Sequence, residues 1–526
     1  MLYSGPAASC PCSINYADSI IIPPSPVLPT QIDPNYAPTT SERLHIRADL
    51  MEIESDLALL DSALEHLKAA QERLQLKRSA LQQHAAACAA LLAPIRRVPP
   101  EILAEVFVHF LPAAWRDDSA DARRSRMLPS HVCKRWRELS LSLSHFWADI
   151  SVMVDSKNID KKLECAKLWL ARSGSCPLSV FLSCLDPDCG AQWQSLLDIV
   201  LPHSTRWVHA SLFSVIPGTL ATLKDNLPML ESVVVAFPAW PSNAPFESAP
   251  NLHFVQANAR DLSNDAGFPW VQLTEVEVSN SSVQQSLSIL KKLPNAVSYK
   301  VTVCYPTNTD SATEHHEVPP VRLDHLKYLE VFGEANISGF HESLELPSLT
   351  SYTYDEAAES TTWWSMSSLS SLFARSSCLI EDINIMLASA VDEHDLALLL
   401  LHTPSLEILD IGSYLAWGAT SNSVLQALAI RSEATCLAPK LQRLSLYYDQ
   451  DFDLQLFTDT IESRWRLEGG APLKAPLEVV EVHNVDDITS LDAGLLRRLQ
   501  EGPDNCEILF MDKDEQVIKD WGLRAD

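Results

Sequence analysis

The sequence predicts a mixed α + α/β architecture: a long N-terminal helix, a small helical module and a C-terminal α/β solenoid with a parallel sheet. Three observations predict it. Residues 42–93 contain neither Pro nor Gly and carry apolar residues on a seven-residue grid. Two short amphipathic segments follow between residues 98 and 147. Beyond residue 177, a short apolar unit recurs and alternates with helical runs. At 526 residues, the chain is too long for one ordinary core, which agrees with several parts or a repeat array.

Residues 1–40 hold eight prolines and few charges, so they read as a disordered tail with polyproline character. The grid of residues 41–93 has two columns. One is Leu50, Leu57, Leu64, Gln71, Arg78, Ala85 and Leu92; the other is Ile46, Ile53, Leu60, Leu67, Leu74, Leu81 and Cys88. This is the seam of a coiled coil, with Leu50, Ile53, Leu57, Leu60, Leu64, Leu67, Leu74 and Leu81 as its apolar core. Gln71 and Arg78 are polar seam positions able to fix register. Pairing with a second copy and folding back onto the same chain both satisfy such a seam. Pro94 ends the run.

Residues 94–155 form the small module. Pro99-Pro100 opens a helix, where a missing N–H costs nothing. Ile102, Leu103, Val106, Phe107 and Phe110 then recur at helical spacing as one apolar stripe. After an Arg-rich link, Ser130 is the expected cap of a second helix carrying Val132, Cys133, Trp136 and Leu139 on one side. Cys133 is expected to pack, not to react. Phe146-Trp147 closes the module.

This arrangement resembles the F-box. The family pattern of Leu/Val-Pro-Pro-Glu-Ile/Leu-Leu, then Val-Cys-x-x-Trp-x-x-Leu, then a late aromatic pair is filled here. The matching residues are Val98, Pro99, Pro100, Glu101, Ile102, Leu103, Val106, Phe107, Val132, Cys133, Trp136, Leu139 and Trp147. The resemblance covers about fifty residues and departs from the family after Leu111-Pro112, where a longer polar insertion stands. A coiled coil before it and an irregular leucine-rich region after it resemble the F-box proteins of mushroom-forming fungi. The resemblance implies a substrate receptor of an SCF-type cullin ubiquitin ligase, a non-catalytic subunit acting in protein degradation. Val98, Pro99, Pro100, Ile102, Leu103, Val106, Phe107, Val132, Cys133, Trp136 and Leu139 would then bind the Skp adaptor, and through it a cullin. A scaffold outside any ligase is the alternative.

Residues 156–526 carry the recurring unit, an apolar residue followed by others three and five positions on. It runs from Leu230/Val233/Val235 through Leu252/Val255/Ala257, Leu273/Val276/Val278, Ala296/Tyr299/Val301 and Leu326/Leu329/Val331. It continues through Leu349/Tyr352/Tyr354, Ile380/Ile383/Ile385, Leu406/Leu409/Ile411, Leu441/Leu444/Leu446 and Leu477/Val480/Val482. Several copies follow a proline by two residues, as at Pro228, Pro250 and Pro404, where the preceding helix must end. Helical runs such as Val283–Leu293, Leu396–His402 and Phe457–Arg466 fill the gaps. Strand-then-helix units of this length predict a solenoid. The spacing resembles the Leu-x-x-Leu-x-Leu core of leucine-rich repeats, without that family's Asn ladder. With only 14 Gly in the chain, no Gly-rich phosphate turn is visible.

The net charge of −28 is uneven: residues 151–526 hold 25 Lys/Arg against 51 Asp/Glu. Such a body disfavours nucleic acid and favours a basic partner. Twelve scattered cysteines lack zinc spacing. No metal or other cofactor is expected, and no membrane contact, because no apolar run nears about 20 residues. With no signal-peptide pattern at the start, the cytoplasm or nucleus is the expected compartment. His315-His316-Glu317 reads as a solvated loop. Trp363-Trp364 reads equally as an exposed aromatic patch and as core. No nucleophile elbow, P-loop or zinc-protease motif occurs, so no enzyme is expected.

Overall fold

A computed structural model describes residues 36–109 and 127–518, apart from 155–158, 185–189, 214–219, 221, 237–244, 264–266, 305–319, 334, 357–365, 389–390, 414–416, 431–435, 466–476, 486–487, 489–490 and 503–505. The chain divides into two compact units, residues 1–103 and 104–526.

Helix α1 spans Thr40–Leu92, 53 residues and about 80 Å at 1.5 Å per residue. Its start is fixed by a capping box: Thr39 accepts from the Glu42 amide, and Glu42 accepts from the Thr39 amide. Its end follows from Pro94, which opens a 3-10 turn over Pro94–Arg97. No residue of α1 is buried.

Helix α2 spans Pro100–Val108 and opens on the proline, as the sequence predicts. The second piece of the module departs from expectation. Residues 127–132 are helical, the chain breaks at Cys133, and helix α3 runs over Lys134–Ser142. Ser130 is therefore not the cap; its hydroxyl donates to the Met127 carbonyl inside the earlier turn. Cys133, in extended geometry, caps α3 by accepting the Trp136 amide on its sulfur at 3.5 Å. Phe146 and Trp147 lie buried in a 3-10 turn, and the Trp147 indole donates to the Ser140 carbonyl.

Among the described residues, the sheet has fourteen parallel strands in near-sequential order. They are β1 (Asp149–Val154), β2 (Leu178–Cys184), β3 (Trp207–Phe213), β4 (Ser232–Ala236), β5 (Phe254–Asn258), β6 (Glu275–Ser281) and β7 (Ser298–Val303). A short pair, β8 (Val321–Arg322) with β10 (Leu344–Glu345), flanks β9 (Tyr328–Gly333). The sheet continues through β11 (Ser351–Glu356), β12 (Asp382–Leu387), β13 (Ile408–Ser413), β14 (Arg443–Tyr447), β15 (Val479–His483) and β16 (Glu507–Phe510). This is a leucine-rich-repeat-like α/β solenoid. The connections carry helices, among them α4 (Ile159–Arg172), α5 (Gly190–Val200), α6 (Ala259–Ser263), α7 (Val283–Leu290) and α8 (Ser338–Glu342). Five more follow: α9 (Met366–Ser376), α10 (Glu393–Leu401), α11 (Trp417–Leu428), α12 (Leu454–Trp465) and α13 (Ala493–Gln500).

All ten recurring triplets are buried, each with its first residue just before a strand and the other two inside it. Alternate strand residues enter one continuous core with the helices, because side chains on a strand alternate sides. The sheet begins earlier than the triplets imply. β1 lies within residues 94–155, and Ile150, Val152 and Val154 already belong to the solenoid core.

In place of an Asn ladder, arginine guanidinium groups, one of them buried, tie successive coils. Arg464, 3 % exposed, donates to the carbonyls of Leu428, Leu437 and Ala438. Burial pulls its pKa down to about 10. Arg375 reaches the carbonyls of His341 and Leu344, and Arg206 those of Ser173 and Cys176.

Candidate functional site

The stripe of α2 divides into two faces. Leu103 and Phe107 are buried, while Ile102 and Val106, one turn apart, are 55 % and 44 % exposed. Phe107 packs against Trp136, with ring centroids 4.8 Å apart, and edge-on to Phe146 at 6.1 Å. The Ser140 hydroxyl donates back to the Trp136 carbonyl one turn earlier within α3. Trp147 is held from its other side by Trp169 and by the Arg172 guanidinium 4.5 Å above its ring.

The remaining sequence candidates divide in the same way. Val98, Trp136 and Leu139 are half-buried; Pro99, Pro100, Val132 and Cys133 are exposed. Cys133 is thus not a packed core residue: its place at the break leaves its side chain in solvent. Phe110, Leu111-Pro112 and the Arg-rich link lie outside the described residues, as do Trp363-Trp364 and His315-His316-Glu317.

On α1, Leu50, Leu57, Leu64, Leu67, Leu74 and Leu81 are each more than half exposed, and Ile53 and Leu60 are half-buried. The seam positions of α1 are thus exposed or half-buried, and none is buried.

A surface the sequence reading missed crosses the sheet on the side away from the core. Strand register aligns Glu277, Lys300, Glu330, Thr353, Asn384, Asp410, Ser445 and Glu481 in one row. Each is the residue between the last two apolar positions of its triplet, so the row was readable once that position was followed from copy to copy. Four of the eight are acidic and one is basic. Lys300 bonds Glu330 at 2.6 Å and lies 4.7 Å over the Phe332 ring. Beside the row, Ser351 donates to Asp382. The Tyr447 hydroxyl donates to Asp410 at 3.0 Å, and the Tyr447 ring stacks on His483 at 5.1 Å. Burial raises the pKa of Asp410; Tyr447 and His483 oppose the rise, while Glu481 and Asp382 add to it. Burial likewise raises Asp382. A row of partly desolvated carboxylates is suited to a cation able to replace the lost water with charge-assisted hydrogen bonds.

Among the described residues, no group of three or more His, Cys, Asp or Glu side chains is arranged to hold a metal ion. None of the described helices is long and apolar enough to cross a membrane.

No protein-family model and no curated protein matches the chain. Solved structures do. The leucine-rich repeat-containing protein LegL7 from Legionella pneumophila shares 13 % identity at a TM-score of 0.33, covering 58 % of this chain and 92 % of that one. The Rad7 and Elc1 complex in yeast gives 13 % and 0.33, over 68 % of this chain and 88 % of that one. The TLR13–ssRNA13 complex gives 12 % and 0.24, over 54 % and 46 %. At scores this low, the fold assignment rests on the strands and helices described above.

Proposed function

We propose that the chain is a non-catalytic, repeat-based interaction protein: an F-box substrate receptor of an SCF-type cullin ubiquitin ligase. The observation that carries this reading is the divided stripe of α2. Leu103 and Phe107 fix the helix from beneath, while Ile102 and Val106 remain outside as apolar side chains one turn apart. Exposed apolar residues on a rigid helix are what docking to a partner uses. The motif residues around them are those of the F-box pattern, so the partner is the Skp adaptor and, through it, a cullin. The acidic row across the sheet then holds the protein substrate through Lys or Arg side chains. The receptor makes no covalent bond; holding the substrate near the charged enzyme raises the transfer rate. Helix α1 pairs two copies of the chain.

The test is co-purification of the full chain with the Skp adaptor. Ile102→Asp with Val106→Asp is expected to abolish capture while leaving the solenoid's melting transition unchanged, because both side chains are exposed. Undiminished capture would remove the docking assignment. Adaptor capture without any partner stabilised under proteasome inhibition would favour the scaffold outside a ligase.

A further inference from the structure

Helix α1 carries its charge in two blocks. Residues 40–65 hold seven acidic and two basic side chains, whereas residues 66–92 hold one acidic and four basic. The seam runs through both blocks, and no α1 residue is buried. Resting on the dimer reading above, we infer that α1 pairs with a second copy in the antiparallel sense. The acidic half of each helix then lies along the basic half of the other.

The flanking positions decide the orientation. In a parallel, in-register pair, Asp49 would face the partner copy's residue 54, a Glu, and Asp56 would face residue 61, an Asp. Arg78 would meet its own copy inside the seam. These are like-charge contacts, repeated by symmetry; the one opposite-charge contact of this kind, Glu42 with residue 47, an Arg, lies in the first turns of the helix and is outnumbered by them. In the antiparallel pair that overlaps the helices fully, Leu64 packs beside Leu67 at the centre, Leu57 opposite Leu74 and Leu50 opposite Leu81. Asp61 then faces Lys68 of the other copy, Asp56 faces Lys77 and Asp49 faces His84. Arg78 meets Ile53 and lies near Glu54 in place of a second arginine. The registers one heptad to either side set Lys68 against itself or Asp61 against itself, so the charges select one register as well as one direction. The groove lined by Leu74, Arg78, Leu81 and Ala85 is where Leu57, Ile53 and Leu50 of the second copy seat.

The two orientations differ in sign under charge reversal and in the reach of a native thiol. In full-length protein at low salt, Asp56→Lys is expected to weaken self-association about tenfold, since it turns two attractive pairs into repulsive ones. Adding Lys77→Asp to the same chain restores it. In a parallel dimer, Asp56→Lys would meet Asp61 and tighten association, which would overturn the orientation while leaving the dimer itself standing. The second measurement is disulfide mapping after mild oxidation. Cys88 lies on the seam. In the antiparallel pair it stands about 70 Å from its own copy at 1.5 Å per residue, so no Cys88–Cys88 bond forms. Mixed Leu50→Cys and Leu81→Cys chains cross-link instead. Cross-linking of Cys88 to itself would overturn the proposal. A monomer at every concentration would overturn the dimer reading as well. The melting transition of the solenoid is the folding control for each variant.

Discussion

Helix α1 and the solenoid carry equally regular apolar patterns but satisfy them in opposite ways. Every residue of the ten triplets is buried by neighbouring coils of the same chain, whereas no residue of α1 is buried. Each strand adds a face to a core that the next coil closes. Helix α1 is a single element with no residue buried, so its pattern alone leaves the seam uncovered. The contrast teaches that periodicity fixes which side of an element is apolar, while connectivity decides whether the same chain can cover it.

The largest effect that sharpens this contrast is in the core. Leu444→Ala removes a fully buried side chain of β14 and is expected to cost about 2–5 kcal/mol, read as a lowered Tm and denaturation midpoint. Leu64→Ala, the same change on the exposed seam, is expected to leave the solenoid's transition in place and to weaken self-association. Equal losses at the two positions would break the comparison.

Next comes Arg464→Leu. Its three acceptor carbonyls lose their donor inside the core, and the expected cost is about 3 kcal/mol in chemical denaturation. A neutral result would mean the guanidinium does not tie the coils.

The effect that is smallest near neutral pH, where it vanishes, is one of pH dependence. His341 is buried, bonded to Ser368 and Tyr352, and burial next to Arg375 pulls its pKa down to about 3. In the unfolded chain it titrates near 6.5. Above that pH, it is neutral in both states and contributes no pH dependence. As pH falls from about 6.5 towards 3, the unfolded chain takes up a proton that the native chain does not. Stability then drops by about 1.4 kcal/mol per pH unit. His341→Gln is expected to remove that part of the slope in urea midpoints measured between pH 7 and pH 4. The raised pKa values of Asp382 and Asp410 act in the other direction, contributing stability at low pH that is lost as pH rises through their folded values. An unchanged slope in the variant would mean His341 titrates freely.

Much of this was legible in residue order. The triplets worked because strand residues alternate sides, and the prolines before Leu230, Leu252 and Leu406 mark where helices stop. The first coils are harder to read because their units lead with unusual residues: Trp147 before β1, Pro177 before β2, and Trp207 at β3 with the small Ala210 in its middle. The break at Cys133 was illegible for a different reason. Cysteine is an uncommon cap, and only the extended geometry there turns its sulfur towards the Trp136 amide. Ile102 and Val106 looked equivalent to Leu103 and Phe107, since all four are apolar at helical spacing. Which pair faces inward depends on the other elements packed against the helix.

By itself, the sequence determined the elements: a long helix without Pro or Gly, a Pro-started module, and strand-helix units with an apolar triplet in each. It also determined the charge blocks of α1 and the acidic residue between the last two apolar positions of several triplets. Only the tertiary structure decided which of these became neighbours. It aligned Glu277, Lys300, Glu330, Asp410 and Glu481 in one row, placed Arg464 under the carbonyls of a preceding coil, and left Ile102 and Val106 outside. The physical reason is that local pattern sets which way a side chain points along its own element, whereas its partners come from coils 20 to 40 residues away, whose register is fixed only when the sheet closes.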